Sequence, residues 1–181
     1  MKILIHTCCS NCALYPVEIL QKRGFEIVLY WHNPNIHPYS EYKNRLESVN
    51  KLENLMKLTV VYDQDYREFY KFLRMVMGKE KERCQICYQL RLERTAKKSK
   101  ELNIELFTTT LLVSPYQKFD KILKIGKELA FKYGISFLTE DFREGFKKGM
   151  NKARELELFR QKYCGCIYSE AERYLRQIEY E

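Results

Sequence analysis

Cysteines dominate the chemistry that this sequence can support. The chain has seven of them, in three short clusters with the sequences CCSNC, CQIC and CGC: Cys8, Cys9, Cys12, Cys84, Cys87, Cys164 and Cys166. An odd number of thiols in a chain without a recognisable secretion signal argues against a disulfide framework. Thiolates at C-x-x-C and C-x-C spacing suit metal ligation instead. Burial as small hydrophobic side chains is the alternative, but such tight clustering favours metal binding.

The thiols outnumber the ligands of one metal centre. A structural zinc or a cubane iron–sulfur cluster takes four thiolates, and seven thiols leave a surplus for a second metal. Because adjacent side chains point in different directions in a strand or a helix, Cys8 and Cys9 are expected to serve two different centres. The second metal would take an oxygen ligand or water, and Asp141 in the segment TEDFR is the first candidate, ahead of Asp63 and Asp65. Helix capping or solvated charge is an equal alternative for each carboxylate.

Polar and aromatic residues outside the cysteine clusters are candidates for binding substrate. The loop NPNIHPYS supplies Asn33 and His37, and Tyr116 follows a later strand. Tyr163, beside the CGC cluster, is a candidate proton donor, although packing alone would explain each tyrosine. No glycine-rich nucleotide motif occurs, so the sequence specifies no nucleotide cofactor.

The chain is basic, with 32 Lys and Arg against 24 Asp and Glu and a formal net charge of +8. The excess is strongest over 67–100, where eleven Lys or Arg face four Glu. Such a stretch predicts either a surface for a polyanion such as nucleic acid or a solvated helix face. Together with Arg143, Lys147 and Lys148, we expect it to form a nucleic-acid-binding surface. No apolar run approaches the length of a membrane helix, and a cytoplasmic protein with no membrane partner is expected.

Strand and helix patterns alternate along the chain. Apolar runs predict strands at 2–6, 26–31, 58–62, 104–112 and 135–138. Amphipathic patterns predict helices at 13–23, 41–57, 67–77, 87–100, 114–133 and 151–162, with one more at the end. Ser114 and Pro115 provide a start signal for the fifth of these helices. The order predicts an α/β fold in one domain, 1–181, with a parallel sheet flanked by helices and a helical C-terminal part from about residue 142 that completes the metal site. The chemically rich segments follow strands, so they would meet at the carboxyl edge of the sheet.

Several of these segments together resemble the QueH family of epoxyqueuosine reductases. They are HTCCSNC, NPNIHPYSEY, ERCQICYQLRLERTA, FTTTLLVSPYQ, EDFREG and RQKYCGCIYSE, and they keep the family's order over nearly the whole chain. The resemblance implies an adenine-nucleotide alpha-hydrolase-like (PP-loop/HUP-like) fold and a 4Fe-4S cluster with an adjacent mononuclear iron. It also implies reduction of epoxyqueuosine in the anticodon loop of tRNA, the final step of queuosine biosynthesis.

The residues agree with that chemistry. Reduction of an epoxide to an alkene takes two electrons and two protons and releases water. Without a flavin or nicotinamide motif, the electrons would come through metal from an external low-potential donor, and a metal with an open position would polarise the epoxide oxygen. Two alternatives stay open. One is an iron–sulfur-dependent tRNA sulfur transferase of PP-loop type, which needs a glycine- and serine-rich loop where HTCCSNC stands, and the other is a zinc-stabilised nucleic-acid-binding module.

Overall fold

Five parallel strands form a single sheet in the computed structural model, which describes residues 1–175. The strands are β1 Lys2–His6, β2 Glu26–Trp31, β3 Thr59–Tyr62, β4 Leu106–Thr109 and β5 Ser136–Phe137. Their order across the sheet is β3-β2-β1-β4-β5, and every neighbouring pair is parallel. The chain order therefore reverses between β1 and β4, the place where open α/β sheets leave a crevice beyond the carboxyl ends of the strands. The predicted α/β class is confirmed.

The described part of the chain, from Met1 to Leu175, also contains seven α-helices. They are α1 Ser10–Lys22, α2 Tyr39–Met56, α3 Glu68–Val76, α4 Arg83–Glu101, α5 Phe119–Tyr133, α6 Phe146–Glu155 and α7 Ile167–Leu175. Helix α1 packs against α2 and α6, while α4 packs against α3 and α5. Gly149 lets α6 approach α1 closely, since a Cβ atom there would lie 3.3 Å from the carbonyl oxygen of Asn11. None of these helices is long and apolar enough to cross a lipid bilayer.

The central strands are apolar because helices cover both faces of the sheet. In β1, Ile3, Leu4 and Ile5 are fully buried, and Leu29 of β2 and Phe107 of β4 are buried beside them. Strands that are buried on both faces consist of continuous hydrophobic runs, and these runs allow the strands to be located from the sequence. Only β1 and β2 have the predicted bounds, while the other strands are shorter than expected.

Several predicted helix boundaries are wrong. Helices α1, α4 and α6 begin at Ser10, Arg83 and Phe146 rather than at residues 13, 87 and 151, and two further errors lie at the start of α5 and the end of α6. Ser114 and Pro115 do not open α5, which begins at Phe119. The Ser114 hydroxyl instead accepts a hydrogen bond from the backbone N–H of Tyr116, two residues on, and so stabilises a turn. The helix expected at 151–162 is α6, which ends at Glu155 because Glu157 adopts a left-handed φ of 52° and Leu158 N–H bonds back to Ala153. The segment 156–166 is consequently free to run as an irregular chain toward the sheet.

Candidate metal centre and substrate cleft

Three buried cysteines meet where β1 gives way to α1. Each of Cys8, Cys9 and Cys12, here called the cysteine trio, has its sulfur within 4.8 Å of the other two. The Sγ atoms of Cys8 and Cys9 are 3.7 Å apart, so the prediction that these neighbours point apart is wrong. Cys8 and Cys9 lie between β1, which ends at His6, and α1, whose N-cap is Cys9, so the alternation of side chains along a regular strand does not apply to them. Among residues 1–175, the trio forms the one group of three or more metal-ligating side chains this close together.

Hydrogen-bond donors converge on the sulfurs of the trio. The Thr110 hydroxyl lies 3.3 Å from Cys8 Sγ, and the backbone N–H of Cys12 donates to Cys9 Sγ at 3.4 Å. Gln161 brings its side-chain Nε2 to 2.9 Å from Cys9 Sγ and 3.8 Å from Cys12 Sγ. Such donors stabilise thiolate charge in a buried place.

The three thiols are electrostatically unequal. Hydrogen bonds from the Cys12 and Cys9 thiols hold the pKa of Cys8 well below its ordinary value. Burial raises the pKa of Cys9, and the hydrogen bonds to Cys8 and Cys9 raise that of Cys12. A thiolate in the trio is therefore stabilised by hydrogen bonds from its neighbours, and it supplies the negative charge that a metal cation attracts.

A buried histidine and a buried arginine flank the trio. Burial, reinforced by the positive charge of Arg91, lowers the pKa of His6 to about 3, so its ring is neutral. His6 Nε2 donates to the carbonyl of His32, and its Nδ1 lies 2.9 Å from the hydroxyl of Thr109. His6 thus braces the ends of β1 and β4 and is not presented as a ligand. Arg91, which is also fully buried, supplies a positive charge beside the thiol-rich region.

The other four cysteines lie at the start of α4 and in the CGC segment. Cys87 and Cys166 share an apolar cluster with Phe72 and Val76, and Cys84 is half-buried one turn before Cys87. Burial raises the pKa of Cys87 to about 12, an effect that the charge of Arg91 opposes. These two sequence clusters, far apart in the chain, therefore come together.

A cleft of about 610 Å³ opens beside the trio. Thiols from two clusters face it, because Cys8 and Cys12 lie on one side and the exposed Cys164 on another. Gln117 donates to Cys164 Sγ at 3.3 Å, just as Gln161 donates to Cys9. The rest of the lining combines aromatic side chains with cations; it includes Tyr116, Phe146, Tyr163, Arg45 and three exposed residues here called the cationic rim, Arg160, Lys162 and Arg173.

Arg45 fixes the wall of the cleft that carries Cys164. Its guanidinium is fully buried and donates to the carbonyls of Tyr163 and Cys164 at 3.0 and 2.9 Å. It also pairs with Glu41 of the same helix at 2.7 Å. Gly165 is needed beside it, since its φ of 135° disfavours other residues and a Cβ atom there would lie 3.1 Å from Arg45 Nη1.

Two of the predicted substrate and catalytic residues lie in the cleft. Tyr116 is among its most exposed side chains and meets Phe146 edge to face at 5.8 Å. Tyr163 lines the wall, but its hydroxyl donates to the carbonyl of His37 at 2.7 Å. Burial, followed by the charge of Glu41, raises the pKa of Tyr163, so the group holds its proton tightly.

The other predicted residues are not among those lining the cleft. Asn33 is buried and donates to the carbonyl of Thr7, so it pins the loop after β2. His37 stacks on an aromatic ring in a separate groove, described below. The carboxylate of Asp141 accepts hydrogen bonds from the Arg143 guanidinium, with 2.6 Å between Asp141 Oδ2 and Arg143 Nη2, and both residues are exposed. Asp141 therefore gains no support as a ligand from its position, and its role stays a prediction.

Many of the cationic side chains in the predicted basic surface form ion pairs or are buried. Lys148 pairs with Glu18 at 2.9 Å, Lys147 is exposed on α6, and neither lines the cleft. Within the stretch 67–100, Arg91 is buried, and four other cations form ion pairs with nearby carboxylates: Arg67, Arg83, Arg94 and Lys98. The exposed cations at the cleft come instead from the C-terminal segment. Reasoning from charge density alone missed this rim, although RQKYCGC places Arg160, Gln161 and Lys162 directly before the CGC cluster.

Comparison with known proteins places these features in a family. A family model described as "Epoxyqueuosine reductase QueH" matches residues 3–172. Curated proteins with that name are similar: the one from Dehalococcoides mccartyi is 35% identical over 173 residues, covering 96% of this chain and 94% of the relative. The one from Thermotoga maritima is 36% identical over 185 residues, covering 98% and 94%.

The fold also matches a solved structure. It is described as the "predicted subunit of tRNA methyltransferase" from Methanocaldococcus jannaschii, and it aligns with a TM-score of 0.57 at 17% identity. The match covers 86% of this chain and 75% of the other. At such low identity the likeness concerns the fold, and it agrees with the parallel α/β architecture expected from the resemblance.

Proposed function

The chain belongs to the QueH family of epoxyqueuosine reductases, and from this premise we propose that it reduces the epoxide of epoxyqueuosine in tRNA to give queuosine. The observation that carries the proposal is the buried cysteine trio at a cleft lined by aromatic and cationic side chains. Membership of this oxidoreductase family decides against the sulfur transferase and the zinc-stabilised binding module.

The donor set suits the metals that such a reaction needs. Reduction of the epoxide to an alkene consumes two electrons and two protons and releases one water. A 4Fe-4S cluster and an adjacent mononuclear iron, held by the seven cysteines, would supply single electrons from an external low-potential donor and a Lewis acid for the epoxide oxygen. Three sulfurs within 4.8 Å and the hydrogen bonds that Gln161 and Thr110 direct at them support metal binding here.

The protein's own residues would present the base to this centre. A nucleotide in the anticodon loop must leave its stack before an enzyme can act on it. The exposed ring of Tyr116, with Phe146 edge-on to it, offers an apolar contact for the extruded base. The cationic rim lies where it would neutralise the phosphates on either side.

The oxygen ligand and the proton donor are part of the same proposal. Asp141 as an iron ligand requires its carboxylate to leave Arg143, and Asp141→Ala should then abolish reduction without changing the ratio of cluster iron to sulfide. If Asp141→Ala stays fully active, the carboxylate serves only its ion pair. Tyr163 as proton donor requires its hydroxyl to release the carbonyl of His37, and Tyr163→Phe tests that step.

The decisive experiment is anaerobic purification followed by an assay on tRNA. Iron and acid-labile sulfide are measured first, and the protein is then incubated with a low-potential chemical reductant and tRNA that contains epoxyqueuosine. Nucleoside mass spectrometry should show loss of one oxygen and formation of queuosine. A variant with all three trio cysteines changed to serine serves as the control and should form none. A colourless wild-type protein that holds zinc without sulfide would contradict the proposal.

A further inference from the structure

A second groove, outside the metal cleft, is built almost wholly from aromatic rings. It has a volume of about 390 Å³, within the range of ligand sites in proteins. We call it the aromatic groove, and its lining is His37, Tyr39, Tyr66, Arg67, Phe69 and Tyr70. None of these side chains lines the cleft beside the cysteine trio.

Three rings of the groove, those of His37, Phe69 and Tyr66, form a parallel stack. The centroids of His37 and Phe69 are 5.2 Å apart with their planes 7° from parallel. Those of Phe69 and Tyr66 are 5.5 Å apart with planes 5° from parallel. Tyr39 adds an edge contact to Tyr66, and Tyr70 lies tilted against Phe69. Offset parallel and edge-to-face rings at these distances are arrangements that aromatic systems prefer, and the rings of Tyr39 and Tyr70 offer further faces on which a planar base can stack.

Two of the rings remain open to solvent. Tyr70 is 61% exposed and Tyr39 58% exposed, although both pack against the parallel stack at an angle. A cluster that served only the core would bury its rings, as Trp31 and Tyr42 are buried next to it. The groove thus presents aromatic surface that the fold does not use.

The charges around the groove fit a phosphate backbone. Arg67, the N-cap of α3, precedes Tyr70 by three residues and Lys71 by four, and Arg74 follows them by four and three. These four residues therefore share one face, and all four are exposed. The carboxylate of Glu68 on the same helix turns inward, where it lies 3.8 Å from the buried His32. Asp65 pairs with Arg67, which leaves Lys71 and Arg74 as the net positive charge of this face.

The groove and the cleft share a wall. The backbone N–H of His37 donates to the carbonyl of Gly165 at 2.7 Å, and the Tyr163 hydroxyl donates to the carbonyl of His37. Tyr163 itself lines the cleft. A strand of nucleotides that enters the cleft would therefore pass close to the aromatic groove.

We propose that the aromatic groove binds unpaired nucleotides that flank the target in the same RNA loop, by stacking one or more bases on Tyr70 and Tyr39. The proposal rests on the function given above, since it takes RNA as the substrate. Stacking of bases on aromatic side chains tolerates any sequence, because every base has a π face. Lys71 and Arg74 would follow the phosphates along α3.

The test uses the full chain, loaded with iron and sulfide under anaerobic conditions. Its probe is a stem-loop RNA with the tRNA anticodon loop, carrying the fluorescent base 2-aminopurine next to the target position. Binding to the wild-type protein should quench the probe. Tyr70→Ala and Tyr39→Ala should each weaken binding by about fivefold to a hundredfold, the loss expected for one stacked base, and should relieve the quenching.

Matched variants separate stacking from general damage. Tyr70→Phe keeps a flat ring and should bind as the wild type does. Phe131→Ala removes a ring that is 92% exposed on α5, away from both lining sets, and should also leave binding unchanged. If Tyr70→Ala and Tyr39→Ala bind and quench like the wild type, or if Phe131→Ala weakens binding equally, the aromatic groove is not the stacking site.

Reduction of full-length tRNA is measured in parallel so that the two proposals fail separately. Normal reduction with unaffected RNA binding by both alanine variants overturns the groove and leaves the reductase function standing. Loss of quenching in the variants, with no reduction by the loaded wild type, supports the groove and overturns the function. A wild type that does not bind the stem-loop overturns the groove outright.

Discussion

Replacing Arg45 by methionine should release the wall of the metal cleft from the rest of the protein. Methionine keeps much of the apolar stem but removes the hydrogen bonds to the Tyr163 and Cys164 carbonyls. It also leaves the carboxylate of Glu41, only 12% exposed, without its partner at 2.7 Å. The loss therefore combines two charged donors with an uncompensated buried anion.

The magnitude follows from these contacts. A hydrogen bond from a charged group contributes about 1.5–3 kcal/mol, and two of them are lost. Removing one member of a buried ion pair costs about 3–5 kcal/mol. The hydrogen-bond figure and the ion-pair figure describe the same guanidinium and are not added, so we expect Arg45→Met to lower the free energy of unfolding by about 3–5 kcal/mol. For a protein of this size each kcal/mol lowers Tm by about 2–4 °C, which gives a fall of about 6–20 °C.

The assay combines thermal unfolding with metal analysis. Arg45→Met should show the fall in Tm and should bind less iron, since the segment of Cys164 and Cys166 loses its anchor. Arg45→Lys keeps the charge but not the planar fork and should lie between the wild type and Arg45→Met. Arg23→Met is the matched control, because Arg23 makes a similar bidentate contact with Glu140 on the surface. If Arg45→Met unfolds at the same temperature as this control and binds wild-type iron, the anchoring role is refuted.

Four further outcomes are expected. Changing any one member of the cysteine trio to serine should reduce bound iron while the far-UV circular dichroism stays that of the wild type, and full iron binding would remove that residue from the ligand set. Reversing the cationic rim to glutamate should weaken tRNA binding and flatten its dependence on salt by roughly 0.7 in log–log slope per lost phosphate contact of the unpaired loop, with iron content as the control. An unchanged slope would move the binding face elsewhere. Gly165→Ala should lower both Tm and iron content, because a φ of 135° disfavours alanine and its Cβ atom would lie 3.1 Å from Arg45 Nη1, so the buried guanidinium would have to shift. A stable, fully loaded variant would contradict this. The hydrogen bond from His32, followed by those from Arg94 and Tyr30, depresses the pKa of Asp63 in the folded protein, so its charge stabilises the fold at pH 7. Asp63→Asn should therefore lower Tm at pH 7, and the difference in Tm from the wild type should shrink as pH falls below about 4, where the carboxylate of the unfolded chain is protonated. A difference in Tm that does not change with pH would exclude the charge effect.

The sequence was enough to identify the class of fold and the elements of the chemistry. β1 and β2 could be located because strands covered on both faces must be apolar along their whole length. The three cysteine clusters stood out because thiols at such spacing have few other uses, and the segments around them carry the family resemblance. These signals are local, since each lies within a few consecutive residues.

Contacts between distant residues decided the rest. Cys8 and Cys9 bring their sulfurs together because both lie in the short connection between the end of β1 and the start of α1, where the alternation of a regular strand does not hold. Gln161 reaches Cys9 across 152 positions of the chain, and Arg45 reaches the Tyr163 carbonyl across 118. The carboxylate of Asp141 pairs with nearby Arg143, and its role as a metal ligand stays a prediction. A sequence states which groups are available, but burial and hydrogen bonding depend on which segments the fold brings together, and that is settled only by packing in three dimensions.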